Sequence, residues 1–281
     1  MQAFPEIQDV DNSFWALVKL ISETLGYTDR RTSAVKSYED KDLNELFRER
    51  GIIVSDYIFR RLQSYFSKRA SVLNNYVQYQ LMDAELARIE YERLLFLHSS
   101  HGFQCKLPKN KQKGIMAKPN YYTCIINILT EDVIRKSSKY DGTLGFNDDP
   151  KGLSYIIDGN SKFVGASSRR FDGAYPDIIN PKAVWEIKEY YHTTTFGSRV
   201  ADGVYETQLD GYEFKEIAKK YGIKVYHFLF IDAYKTWWID GKSYLCRIID
   251  SLNSGLVDEV IVGREVFNRW PKALQKILES N

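Results

Sequence analysis

The run AVWEIKEY, residues 183–190, constrains this chain more than any other segment. Its aromatic and β-branched residues favour a strand, and the Asn180–Pro181 pair just before it favours a turn. Side chains alternate between the two faces of a strand, so Val184, Glu186 and Lys188 share one face while Trp185 and Ile187 share the other. The second face belongs in a core. A Glu–Lys pair on the first is costly to cover unless something uses it. A hairpin turning at Asn180–Pro181 would return Glu186 to the neighbourhood of Asp177, bringing two carboxylates and an ammonium together.

The flanking pattern extends this strand into a mixed sheet. LSYIID, SKFVGAS, YPDIIN and AVWEIKEY are short β-rich runs separated by Gly, Asn or Pro, the pattern of an antiparallel meander. A helical segment follows from about Asp202 to Tyr221, then a strand in KVYHFLFIDA, a helix in KSYLCRIIDSLNSG, a strand in VDEVIVG and a C-terminal helix in PKALQKILES. Before the meander, YYTCIINILTEDVIRK reads as a helix, and residues 137–152 read as loop. The expected fold is α/β (α+β), a mixed central sheet flanked by helices. The first hundred residues read as helices: SFWALVKLISETL with Asn12 or Ser13 as N-cap, DLNELFRERG, SDYIFRRLQSYFSKRA, and one long segment NNYVQYQLMDAELARIEYERLLFLH. The expected division is therefore a helical subdomain over 1–118, with a DNA-recognition or dimerisation role, and a catalytic domain over 119–281.

Composition narrows the class. With 44% apolar and 27% charged residues in 281, the chain suits a soluble globular protein of one large or two small domains. No run is long and apolar enough for a membrane helix, and the start lacks a basic segment before an apolar one, so a cytoplasmic location is expected. Cys105, Cys124 and Cys246 lack metal-ligand spacing and read as reduced cysteines. A net charge of +2 makes any nucleic-acid affinity local. Residues 100–118 hold Lys106, Lys109, Lys111, Lys113 and Lys118 without an acid, a run that suits phosphate contacts and equally a solvated loop. Residues 189–203 combine Thr193, Thr194, Thr195, Ser198 and Arg199 beside the key strand, and Arg169 and Arg170 precede it. These hydroxyls and guanidiniums are candidate DNA contacts, or a polar surface. Asp172, followed by Gly173, is read as a turn rather than a site acid.

Carboxylates with a neighbouring lysine suit metal-assisted phosphodiester hydrolysis. Hard oxygens hold Mg²⁺, which acidifies water and offsets charge on phosphate, while a lysine orients the attacking water. Asp177 and Glu186, with the Ile187 carbonyl, are the expected ligands, and Lys188 is the expected catalytic cation.

Pro176-Asp177 followed by Glu186-Ile187-Lys188 resembles the signature of the PD-(D/E)xK nucleases, which include most type II restriction endonucleases. The resemblance spans roughly residues 120–265 and implies a catalytic set of Asp177, Glu186 and Lys188 with one or two Mg²⁺ ions. Gln208 and Tyr212 match the QxxxY pattern of RecB-like members and would support the site, as would an acid on the preceding helix, Glu131 or Asp132. The leading expectation is a site-specific endonuclease acting on double-stranded DNA as a homodimer, without a nucleotide cofactor, since no P-loop is present. A structure-specific or repair nuclease is the alternative within the class. A non-catalytic DNA-binding protein on the same fold is the alternative outside it. A glycosidase is disfavoured by Lys188, because that chemistry needs a protonated acid.

Overall fold

A computed structural model describes residues 1–7, 10–110, 118–192 and 197–280. The N-terminal helices are α1 (Asn12–Leu25), α2 (Asp40–Arg50), α3 (Asp56–Val72) and a single turn α4 (Gln78–Gln80). Then come α5 (Ala84–Ser100), α6 (Tyr121–Lys136), β1 (Tyr155–Ile157), β2 (Phe163–Ala166), β3 (Gly173–Tyr175) and β4 (Ala183–Glu189). The chain continues through α7 (Ser198–Tyr221), β5 (Tyr226–Asp232), α8 (Lys242–Asn253), β6 (Glu259–Val262) and α9 (Val266–Glu279). The four-stranded sheet has the order β3-β4-β5-β6, with β3 antiparallel to β4 and the other neighbours parallel. The expected mixed sheet with flanking helices is present.

Alternation in β4 and β5 sorts the layers. Trp185 and Ile187 on β4, with Phe228 and Phe230 on β5, pack beneath α5, α6 and α9. Trp270 of α9 meets Trp185, Phe228 and Phe230 with ring centroids 5.1–5.3 Å apart, and its indole N–H donates to Thr130 Oγ1 at 2.8 Å. Full burial of side chains this large stabilises the layer by roughly 2–3 kcal/mol each. The opposite face carries Leu229, Ile231 and Val260 against α7, α8 and the helices of residues 1–81.

Several local expectations are corrected. The four β-runs do not form one meander: β1 and β2 form a separate two-stranded sheet, joined to the connection after β3 by a single bridge between Tyr155 and Ile179. YPDIIN is not a strand of its own: Tyr175 ends β3, and Pro176–Asn180 form the connection toward β4, with Asn180 at φ 50°. The N-cap of α1 is Asp11, whose carboxylate accepts from the Phe14 N–H. The long segment over 74–98 is broken at Leu81, whose backbone is extended, and Asp83 caps the new helix α5. Because α5 shares a core with α6 and α9, the chain passes from one side of the sheet to the other at a joint near residue 81.

Candidate functional site

The polar face of β4 lies beneath α7. Gly203 permits this approach: a Cβ there would stand 3.1 Å from the Lys188 side chain and from the Tyr190 hydroxyl. Lys188 Nζ lies 2.6 Å from Glu186 Oε1 and 3.0 Å from Glu206 Oε2. Arg169, from the segment entering β3, places its guanidinium 3.0 Å from Glu186 Oε2, 2.9 Å from Asp210 Oδ2 and 3.7 Å from Glu206 Oε2. Glu206 and Asp210 stand at i and i+4, on one face of α7.

The fourth acid is Asp172. β3 pairs with β4 through Gly173↔Trp185, Ala174↔Val184 and Tyr175↔Ala183, so one further step brings Asp172 level with Glu186. The Asp172 N–H donates to the Trp185 carbonyl at 3.0 Å, and its carboxylate accepts from the Ile187 N–H at 2.7 Å. These two bonds bracket Glu186. A strand residue turns its N–H and C=O toward the same neighbour, so the Ile187 carbonyl faces the Asp172 side as well. The expected turn at Asp172-Gly173 is therefore corrected: Gly173 is a strand residue. It is glycine because a Cβ would fall 2.1 Å from the buried Trp185 ring.

Four carboxylates here face two cations, a formal excess of two negative charges. Burial raises Asp210 to about 7 despite the attraction of Arg169. Protein packed around its carboxyl, then the Glu186 charge, raises Asp172 to about 7. Since solvent reaches Asp172, repulsion by Glu186 is the sturdier of its two causes. Burial works to strip Lys188 of its proton, but the Glu186 carboxylate prevails and holds its pKa above the ordinary lysine range. Lys188 is thus held as an ammonium beside Glu186. Asp210 Oδ1 is buried without a hydrogen-bond partner among the described residues. Among those residues no three His, Cys, Asp or Glu side chains form a ready cation cage. A divalent cation would instead take Asp172, Glu186, the Ile187 carbonyl and water, a hard-oxygen set that fits Mg²⁺ and offsets the charge excess.

Residues 82–277 match the family described as Domain of unknown function (DUF7687), and residues 1–76 match Domain of unknown function (DUF7690). The chain belongs to the DUF7687 family. No curated protein and no solved structure matches the chain. All the site residues above lie within the DUF7687 region, and the two regions meet at the break near Leu81.

The other expected site residues fall in several places. Asp177 is not brought to Glu186. It is exposed beyond the far end of β3, where it accepts from Asn147 Nδ2 and the Ile178 N–H, both at 2.7 Å. The hairpin register excludes it: Tyr175 already pairs with Ala183, so the chain beyond Tyr175 runs away from Glu186. Glu131 is not a site acid. Its carboxylate accepts from the Gln104 and Cys105 N–H groups and pairs with Arg135, anchoring a loop. Asp132 pairs with Lys136. Gln208 and Tyr212 lie on the far side of α7 from Glu206 and Asp210, with Gln208 Nε2 donating to Ser251 Oγ at 3.0 Å. Arg169 is consumed by carboxylates, whereas Arg170, Ser198, Arg199 and Lys109 are exposed. Lys111, Lys113, Thr193, Thr194 and Thr195 lie outside the described residues. The three cysteines are buried and unpaired with one another. Among the described residues no helix is long and apolar enough to cross a membrane.

Glu206 and Asp210 were not singled out from sequence. Their one signal is the i, i+4 spacing beside Gly203, and acids at that spacing usually mark a solvated face.

Proposed function

We propose that this protein is a Mg²⁺-dependent DNA endonuclease whose catalytic set is Asp172, Glu186 and Lys188. The observation that carries this reading is the convergence of Asp172, Glu186 and a buried, charged Lys188 where the antiparallel strand β3 ends against the parallel part of the sheet. Lys188 sits near the carboxyl end of β4, the end at which sheets of this kind bind ligands. Mg²⁺ at such a site supplies Lewis acidity toward phosphate oxygens and acidifies water. Asp172 and Glu186 would hold it. Lys188 would orient the attacking water and offset charge on the phosphoryl oxygens, work that an ammonium can do without giving up its proton. Water forms the new P–O bond and releases one proton to solvent as the bond to the leaving deoxyribose oxygen breaks, and that oxygen takes up a proton from solvent. Arg169 pairs with both Glu186 and Asp210 and so fixes the Glu186 carboxylate.

A restriction-type enzyme working as a homodimer is our preferred form of this reading, and a repair nuclease is its variant. The test is incubation of plasmid DNA with the purified protein, with and without Mg²⁺, beside Glu186→Gln and Lys188→Met. Cleavage that needs Mg²⁺ and disappears in both variants supports the reading, with discrete fragments favouring sequence specificity. Cleavage that persists in both variants overturns the assignment. Tight DNA binding without any cleavage favours a non-catalytic DNA-binding protein.

A further inference from the structure

A cavity of about 310 Å³ opens between α1, α7 and α8, on the side of α7 away from Glu206 and Asp210. Its size falls at the lower end of the range for small-molecule sites. Tyr205, Gln208, Tyr212 and Lys215 line it from α7 at positions i, i+3, i+7 and i+10, a continuous stripe along one helix face. Trp15 and Lys19 face them from α1. Tyr205 and Tyr212 are 50% and 60% exposed, so their rings are open to a ligand. The charged groups differ in their commitments. Arg247 is paired with Glu23, and Asp250 with Arg69. Lys19 and Lys215 form no ion pair among the described residues, and Lys215 Nζ donates only to the Ser254 carbonyl at 2.8 Å. Burial in this recess lowers the Lys215 pKa, a cost that an anion beside it would reverse. Gln208 spends one amide hydrogen on Ser251 and keeps its carbonyl oxygen and its second hydrogen.

Flat aromatic rings, two ammonium groups outside any close ion pair among the described residues and a half-used amide make a complementary set for one chemistry. We infer that this cavity binds a nucleoside monophosphate unit, with the base stacked on Tyr205, Tyr212 or Trp15, the base edge read by Gln208, and the phosphate held by Lys215 and Lys19. Aromatic stacking with a flanking cation is how unpaired nucleotides are held on proteins. The source is either a free nucleotide or an unpaired nucleotide of a nucleic-acid strand. The site uses none of Asp172, Glu186 and Lys188, so it stands or falls apart from the nuclease reading.

The experiment uses the full chain carrying Asp172→Asn, in buffer without Mg²⁺, so that the labelled strand stays intact. Polarisation of a fluorescein-labelled five-residue oligo(dA) is followed, with competition by dAMP, by ATP and by deoxyribose 5-phosphate. Tyr205→Ala and Lys215→Met are measured alongside, with circular dichroism melting as the check on folding. The inference expects binding that each folded variant weakens about tenfold or more, the loss of one stacked base or one phosphate contact. Competition by dAMP or ATP as strong as by unlabelled oligonucleotide identifies a free-nucleotide site, and competition by the oligonucleotide alone identifies a strand site. Either supports the inference. Binding unchanged in both variants, equal competition by deoxyribose 5-phosphate, or no binding at millimolar ligand overturns it.

Discussion

Exchanging the carboxylate of Asp172 or of Asp177 for an amide separates the two candidates for the site's second acid. Asp172→Asn removes one negative charge directly beside Glu186 while leaving an oxygen able to accept from the Ile187 N–H. Losing one charged contact to the reacting centre costs about 3–4 kcal/mol of transition-state stabilisation, a drop of about 10²–10³ in kcat. Asp177 stands five residues further along the chain, which at ~3.3 Å per residue puts its charge at most about 16 Å from the Asp172 level. Through water at roughly 10–16 Å a unit charge acts with about 0.3–0.4 kcal/mol, about twofold or less in rate. Asp177→Asn also keeps an acceptor for Asn147 and Ile178, so folding is spared. The assay is single-turnover cleavage of a labelled duplex in Mg²⁺, with melting curves run in parallel. A large loss in Asp177→Asn with near-normal Asp172→Asn would refute the register argument and return the centre to the Pro-Asp pair.

Two further outcomes bear on the frame around the site. Gly173→Ala drives a methyl into the Trp185 ring, which is itself held against Trp270, so unfolding in urea should show a loss of about 1–3 kcal/mol; an unchanged midpoint would mean that the Asp172 strand is not seated as described. Asp232 ties the joint near residue 81 to the sheet, accepting from the Met82 N–H at 2.7 Å and from the Tyr191 hydroxyl. Its burial raises its pKa from 3.8 to about 8, so the folded state holds the proton more tightly than the unfolded chain. The stability this group contributes is full below about pH 4 and is lost as the pH rises through about 8. Urea midpoints at pH 5 and 8.5 should therefore fall in the parent and fall less in Asp232→Asn; equal losses would place the titration elsewhere.

Where local chemistry decides, the sequence is sufficient by itself. Strand β4 follows from residue types and alternation: Trp185 and Ile187 enter one core while Glu186 and Lys188 occupy the other face, as period-two patterning requires. The order of helix and strand through α6, α7, β5, α8 and β6 is legible for the same reason. Asp172 was not, because its place depends on hairpin register, and register depends on a seven-residue connection, 176–182, that no local rule fixes. Asp-Gly is a turn signal when only neighbours count, yet Gly173 answers to Trp185, twelve residues away. Glu206 and Asp210 look like ordinary solvent-facing acids until Gly203 lets α7 settle on Lys188. Likewise the Gln208–Tyr212 spacing places both residues on one helix face, but only packing against α1 and α8 decides that this face lines a separate cavity. Elements form from contacts within a few residues. The site forms from contacts between elements, and those are set by shape and burial summed over the whole core.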